Sequence, residues 1–135
     1  MTLAIEPGVE LPPLALEPLS RATLALYAGA SGDHVPLHID TDHARRAGMP
    51  DVFGHGMLTA AWLGRYLTAH VPQDRIRSLD LRFTGVMHLY NQPICRGKVT
   101  GYAEVDGARC ARIELSVGNQ YGESKVTGEA LVALA

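Results

Sequence analysis

Only two cysteines, Cys95 and Cys110, occur in the 135 residues. Each sits inside a strand-like run, and no disulfide framework of the kind that staples small secreted domains can be drawn from them. Reduced thiols and a cytoplasmic setting are the expectation. A basic stripe is missing too: twelve Lys and Arg are scattered among fourteen Asp and Glu, for a net charge of −2. No surface can then neutralise a run of phosphates, so nucleic acid is not an expected partner. Long apolar runs are also absent. Arg, His or Pro interrupts each of them well short of the ~20 residues that a membrane span needs, and the first residues lack a basic segment followed by an apolar one. No membrane anchor or export signal is expected.

What is present suits a folded chain. Apolar residues make up 47% and charged residues 19%, far from the polar, highly charged balance that leaves segments disordered. Residues 1–135 are read as a single domain, long enough to bury roughly two thirds of the unfolded surface. Pro7, Pro12, Pro13 and Pro18 keep the start extended. Ser20 stands where an N-cap belongs, and Leu24, Tyr27, Ala28 and Ser31 follow at helical spacing. That helix must end between Gly29 and Gly32, since Pro36 disfavours helix at Val35. Asp40 or Thr41 can cap a short helix over Asp42 to Ala47, stopped by Gly48 and Pro50.

From Gly56 to His70 the chain is apolar on nearly every face, with one Arg and no carboxylate before Pro72. A helix of that kind belongs in the middle of something. After it the pattern has period two: Leu79, Leu81 and Phe83, then Ile113, Leu115 and Val117, then Val126, Ala130 and Val132, each alternating with polar or small residues. Turn signals stand at His88 to Pro93, at Asp106-Gly107 and at Gly118 to Gly122. The expected architecture is α+β, an antiparallel meander curved around a buried helix. An open sheet edge in such a fold favours a dimer.

The densest set of reactive groups runs from Ser31 to Asp40, with Phe53-Gly54-His55-Gly56-Met57 following. His34, His38, Asp40, Asp42 and His43 suggest a metal site, but Pro36 interrupts the single helical face that the spacing of His34 and His38 would exploit. A plain solvated loop is a second alternative. The third is acid–base chemistry: Asp33 and His38, five residues apart across a proline-fixed turn, can converge on one water and each exchange a proton with it. A helix start at Gly56 and Met57 would offer backbone N–H groups and a dipole to a developing oxyanion, and Gly56 carries no side chain to obstruct it. His55-Gly56 also fits a simple helix opening.

Ser31-Gly32-Asp33-x-x-Pro36-Leu37-His38-x-Asp40, then Ala44 and Gly48, then His55-Gly56-Met57-Leu58, resembles the signature of the MaoC-like dehydratases, the (R)-specific enoyl-CoA hydratases of the hot-dog fold. The resemblance implies a curved sheet around a long central helix, usually dimeric. It also implies that Asp33 and His38 activate water and that Gly56 gives its N–H to the thioester oxygen of an acyl-CoA or acyl-carrier-protein substrate. Ser31 and Gly32 would shape the loop and, with His55, Gly56 and Met57, frame the reacting end of the substrate. Neither cofactor nor metal is implied. The family usually has Asn where this chain has Val35, which points to reduced activity, an unusual substrate, or the catalytic half of a heterodimer in place of a homodimer. The acyl tail would lie on the central helix near Ala60, Ala61 and Gly64, bounded by Trp62 or Tyr66. Two other functions stay open: a hot-dog thioesterase, against which stands the lack of a carboxylate between Gly56 and His70, and a non-catalytic acyl-binding subunit.

Overall fold

The structure, a computed structural model, describes residues 5–134. Residues 1–4, part of the stretch in which no export signal is expected, lie outside the described residues, as does Ala135. In chain order the elements are β1 (Glu10–Ala15), α1 (Arg21–Ser31), a 3-10 turn (Pro36–His38), α2 (Thr41–Arg46), α3 (Gly56–Thr68), β2 (Ile76–Phe83), β3 (Ile94–Val105), β4 (Ala108–Gly118) and β5 (Ser124–Ala133). The helix boundaries follow the local chemistry. Ser20 Oγ accepts from the Thr23 N–H at 3.1 Å to open α1. Asp40 Oδ1 accepts from the N–H of Asp42 at 2.9 Å and of His43 at 3.3 Å to open α2.

The five strands form one antiparallel sheet in the order β1-β3-β4-β5-β2. Two expectations need correction here. The strands do not follow one another as a simple meander: β2 crosses to the far edge and pairs with β5, opposing Leu79 to Ala130 and Phe83 to Val126. Local alternation identifies a strand but not its neighbour. The proline-rich start also contains a strand, β1, which includes Pro12 and Pro13 and breaks register between Leu11 and Leu14. Prolines are tolerated there because β1 is an edge, where a missing N–H interrupts no second ladder. The Asp106-Gly107 hairpin is as expected, with φ of 49° and 80° joining β3 to β4.

Helix α3 lies across the concave face of the sheet. Leu58, Leu63, Tyr66 and Leu67 are buried with Val99, Ile113, Leu115, Val117, Val126, Ala130 and Val132. Each fully buried side chain of this size contributes roughly 1.5–3 kcal/mol relative to exposure. Gly97 on β3 permits the closest approach, since a Cβ there would stand 2.9 Å from Leu11 Cδ1 and 3.2 Å from the Tyr66 ring. Tyr66 is therefore core. Its ring is closed off from the surface, and Trp62 faces a cleft with Leu14, Leu16, Leu19 and Thr23. The helix is not submerged on every side. Met57 is 62% exposed, Ala61 is exposed, and across from them on β2 Leu79 and Phe83 are 37% and 53% exposed. No helix among the described residues is long and apolar enough to cross a membrane.

Candidate active site

Loop geometry, not a helix face, brings the reactive groups together. Helix α1 ends on Gly32, whose left-handed φ of 75° turns the chain out of the helix. Ser31 Oγ accepts from the Asp33 N–H at 3.1 Å, and Asp33 Oδ1 accepts from the Val35 N–H at 3.2 Å. These side chains thus shape the turn themselves. Pro36 then opens the 3-10 turn that ends on His38. The His38 ring donates Nδ1–H to the Phe53 carbonyl at 2.8 Å. A carbonyl can only accept, so Nδ1 carries a proton, and the neutral form of this ring has its lone pair on Nε2.

The two groups separated in sequence meet in space. Donor atoms of Asp33, His38 and His55 all lie within 4.8 Å of one another. Asp33 and His38 are half-buried, an environment open enough to admit water. The same three residues could hold a metal ion, whereas the set considered above is not gathered. His34 turns its Nδ1 to the Gly32 carbonyl at 3.2 Å, Asp40 is committed to capping α2, and His43 lies within that helix.

Helix α3 begins beside this pair. His55 is its N-cap residue, and no side chain caps that end. Gly56 and Met57 are both exposed, so the first N–H groups and the positive end of the dipole are available to an anionic oxygen. A Cβ on Gly56 would stand 3.3 Å from Phe83 Cε1, so a larger residue would press on the ring that flanks the helix start.

His55 is placed differently from expectation. It is 1% exposed, stacked on His38 with ring centroids 3.9 Å apart and an interplanar angle of 24°. Its Nε2–H donates to the Asp33 carbonyl at 3.1 Å, and Tyr27 meets it edge-on at 4.8 Å. A ring covered this way is not placed to frame a substrate, whereas Gly56 and Met57 reach the surface. Burial pushes the His55 pKa below its ordinary value; the hydrogen bond to Asp33 opposes this and the charge of His38 reinforces it. The sequence places Tyr27 on a helix and Phe53 beside the reactive segment but gives neither a role at the site, because a main-chain acceptor and a helix tyrosine carry no local signature.

Residues 6–119 match the MaoC like domain. The chain belongs to this family. Its architecture is the hot-dog fold of the MaoC-like dehydratases. The (R)-hydratase from A. caviae involved in PHA biosynthesis is similar with a TM-score of 0.83 and 26% identity, covering 98% of each chain. The ChsH1-ChsH2 complex from Mycobacterium tuberculosis is similar with a TM-score of 0.80 and 25% identity, over 96% of this chain and 98% of the matched one. The 3-hydroxyacyl-thioester dehydratase X of Mycobacterium tuberculosis is 38% identical over 66 residues, 49% of this chain and 23% of that protein. The chain therefore spans less than a quarter of that curated relative.

Proposed function

We propose that this MaoC-like chain, acting as one domain, adds water to a trans-2-enoyl thioester to give the (R)-3-hydroxyacyl thioester, or removes it in the reverse direction. The observation that carries this reading is the convergence of Asp33 and His38 beside the uncapped start of α3. His38 Nε2 takes a proton from water while Asp33 orients it, and the water oxygen bonds to the β-carbon. The electron pair of the double bond moves through the α-carbon to the thioester oxygen, which the Gly56 N–H and the helix dipole stabilise. As that enolate collapses, the Asp33–His38 pair delivers the proton taken from water to the α-carbon and returns to its starting state, so one water is added in total.

The acyl tail has a groove to follow. Ala61, Gly64, Leu67, Ile76 and Leu79, with Arg65, Thr68 and Gln73 among them, line an open cleft of about 470 Å³ along α3, a size suited to a small-molecule chain. A second copy, or a related partner subunit, would close that cleft by pairing along the unpaired edge of β2 and covering Met57, Leu79 and Phe83. The solved relative that is itself a two-component complex supports the heteromeric variant. Val35 supports it too: its N–H serves Asp33, but its side chain, 46% exposed, offers water no hydrogen bond. Free, buried Cys95 and Cys110 agree with a reducing, cytoplasmic compartment.

The test is incubation of the purified protein with crotonyl-CoA and with longer or bulkier enoyl-CoA esters, reading both the conjugated enoyl absorbance and free thiol. Loss of absorbance without thiol is expected. Thiol release would show hydrolysis instead, and no change with any ester would indicate a binding subunit that depends on a partner.

A further inference from the structure

The acid–base pair has a third member that does not reach solvent. His55 is 1% exposed yet makes contact with both halves of the pair: its Nε2–H donates to the Asp33 main-chain carbonyl at 3.1 Å, and its face lies on the His38 ring at 3.9 Å. It is also the N-cap residue of α3, with its own carbonyl accepting from the Leu58 N–H at 3.1 Å. One residue therefore ties the carboxylate loop and the imidazole, through its ring, to the oxyanion end of the helix, through its main chain.

The protonation state follows from the partners. A carbonyl accepts only, so the His55 proton resides on Nε2, and Nδ1 is a buried lone pair with no hydrogen-bond partner. A second proton on Nδ1 would be a buried, unpaired donor on a cation, which is costly. His55 is thus a neutral donor of fixed tautomer, and its neutral ring face can lie against His38 when that imidazole becomes cationic.

We propose that His55 is a positioning residue that sets the separation of Asp33 and His38, through its hydrogen bond to the Asp33 carbonyl and its stack on the His38 ring. The role rests on the hydratase reading above and deepens it. Two substitutions separate the contacts. His55→Phe keeps a stacking ring and removes the donor; His55→Gln keeps an N–H near the place of Nε2. With crotonyl-CoA, His55→Phe should lower kcat about 10- to 100-fold, the loss expected when reacting groups shift by about an ångström. KM should change much less, and thermal midpoints should be similar in both variants. His55→Gln should recover a large part of the lost kcat.

A kcat for His55→Phe close to wild type, or equal losses in both variants that track lowered stability, would overturn the proposal. If the wild-type protein itself hydrates no enoyl ester, the hydratase reading falls, and ring nitrogen NMR of His38 judges the positioning role alone. Exchange-broadened His38 signals in His55→Phe then uphold it, and spectra identical to wild type overturn it.

Discussion

The amino end of α3 and its open flank are built on opposite terms. At the amino end each of the three polar side chains is tied within the chain: His38 to Phe53, His55 to Asp33, Asp33 to Val35. Along the flank, Met57, Ala61, Leu79 and Phe83 are apolar or small and are left exposed. On the proposed reading, one chain supplies the reacting groups but only part of a pocket wall. Chemistry and substrate enclosure can then be damaged separately, and the following experiments exploit that separation.

The largest effect should come from the amino end. Asp33→Asn and His38→Ala should each lower kcat with enoyl-CoA by roughly 10²–10⁴-fold, the usual contribution of a positioned acid or base, with circular dichroism and thermal unfolding little changed. A near-normal rate in either variant removes that residue from the mechanism. Next is the contrast between the two sides of the helix. Leu63→Ala, on the covered side at 0% exposure, should cost about 2–5 kcal/mol in urea unfolding. Met57→Ala, on the open side, should leave the stability of the isolated chain within about 0.5 kcal/mol. Equal costs would mean that the flank is not open in solution or that the core is assigned wrongly.

Phe83→Glu tests the proposed pairing along β2: wild type should sediment as a pair and the variant as a monomer, with weaker substrate binding. An unchanged sedimentation coefficient would place the contact elsewhere. The smallest effect is on pH dependence. Because His55 titrates below its ordinary value of 6.5 in the folded chain, the unfolded chain binds more protons just below that pH. The stability contributed by neutral His55 is complete above about pH 6.5 and is lost as pH falls towards the depressed folded value. Its titratable neighbours are Asp33, His38 and Tyr27. Urea midpoints at pH 7.5 and 5.5 should therefore fall further for wild type than for His55→Gln; equal falls would assign the dependence to another group.

Much of this arrangement was legible in the amino acids. Ser20, Gly32, Asp40 and Gly48 mark helix ends through interactions with their immediate neighbours, and Asp106-Gly107 marks its turn the same way. The proline between Asp33 and His38 announces a bend, and the bend brings them together. Longer-range features were not legible. The partner of β2 is decided by a crossing of the whole sheet, which no alternation pattern encodes. That His55 faces inward beneath His38 depends on where α3 docks, and its neighbours Gly56 and Met57 point outward despite adjoining it in sequence. The Val35 difference was visible, but its effect on rate depends on water order that residue type alone does not give.

The two rims of the sheet also differ in a way that bears on how many copies can join. On one rim Pro12 and Pro13 remove donors and the register breaks between Leu11 and Leu14, so an incoming chain finds no regular ladder to extend. The other rim, β2, has no proline. Under the proposed pairing along β2, a particle with one receptive rim and one blunted rim would close as a pair, with no second site from which to grow into a fibre.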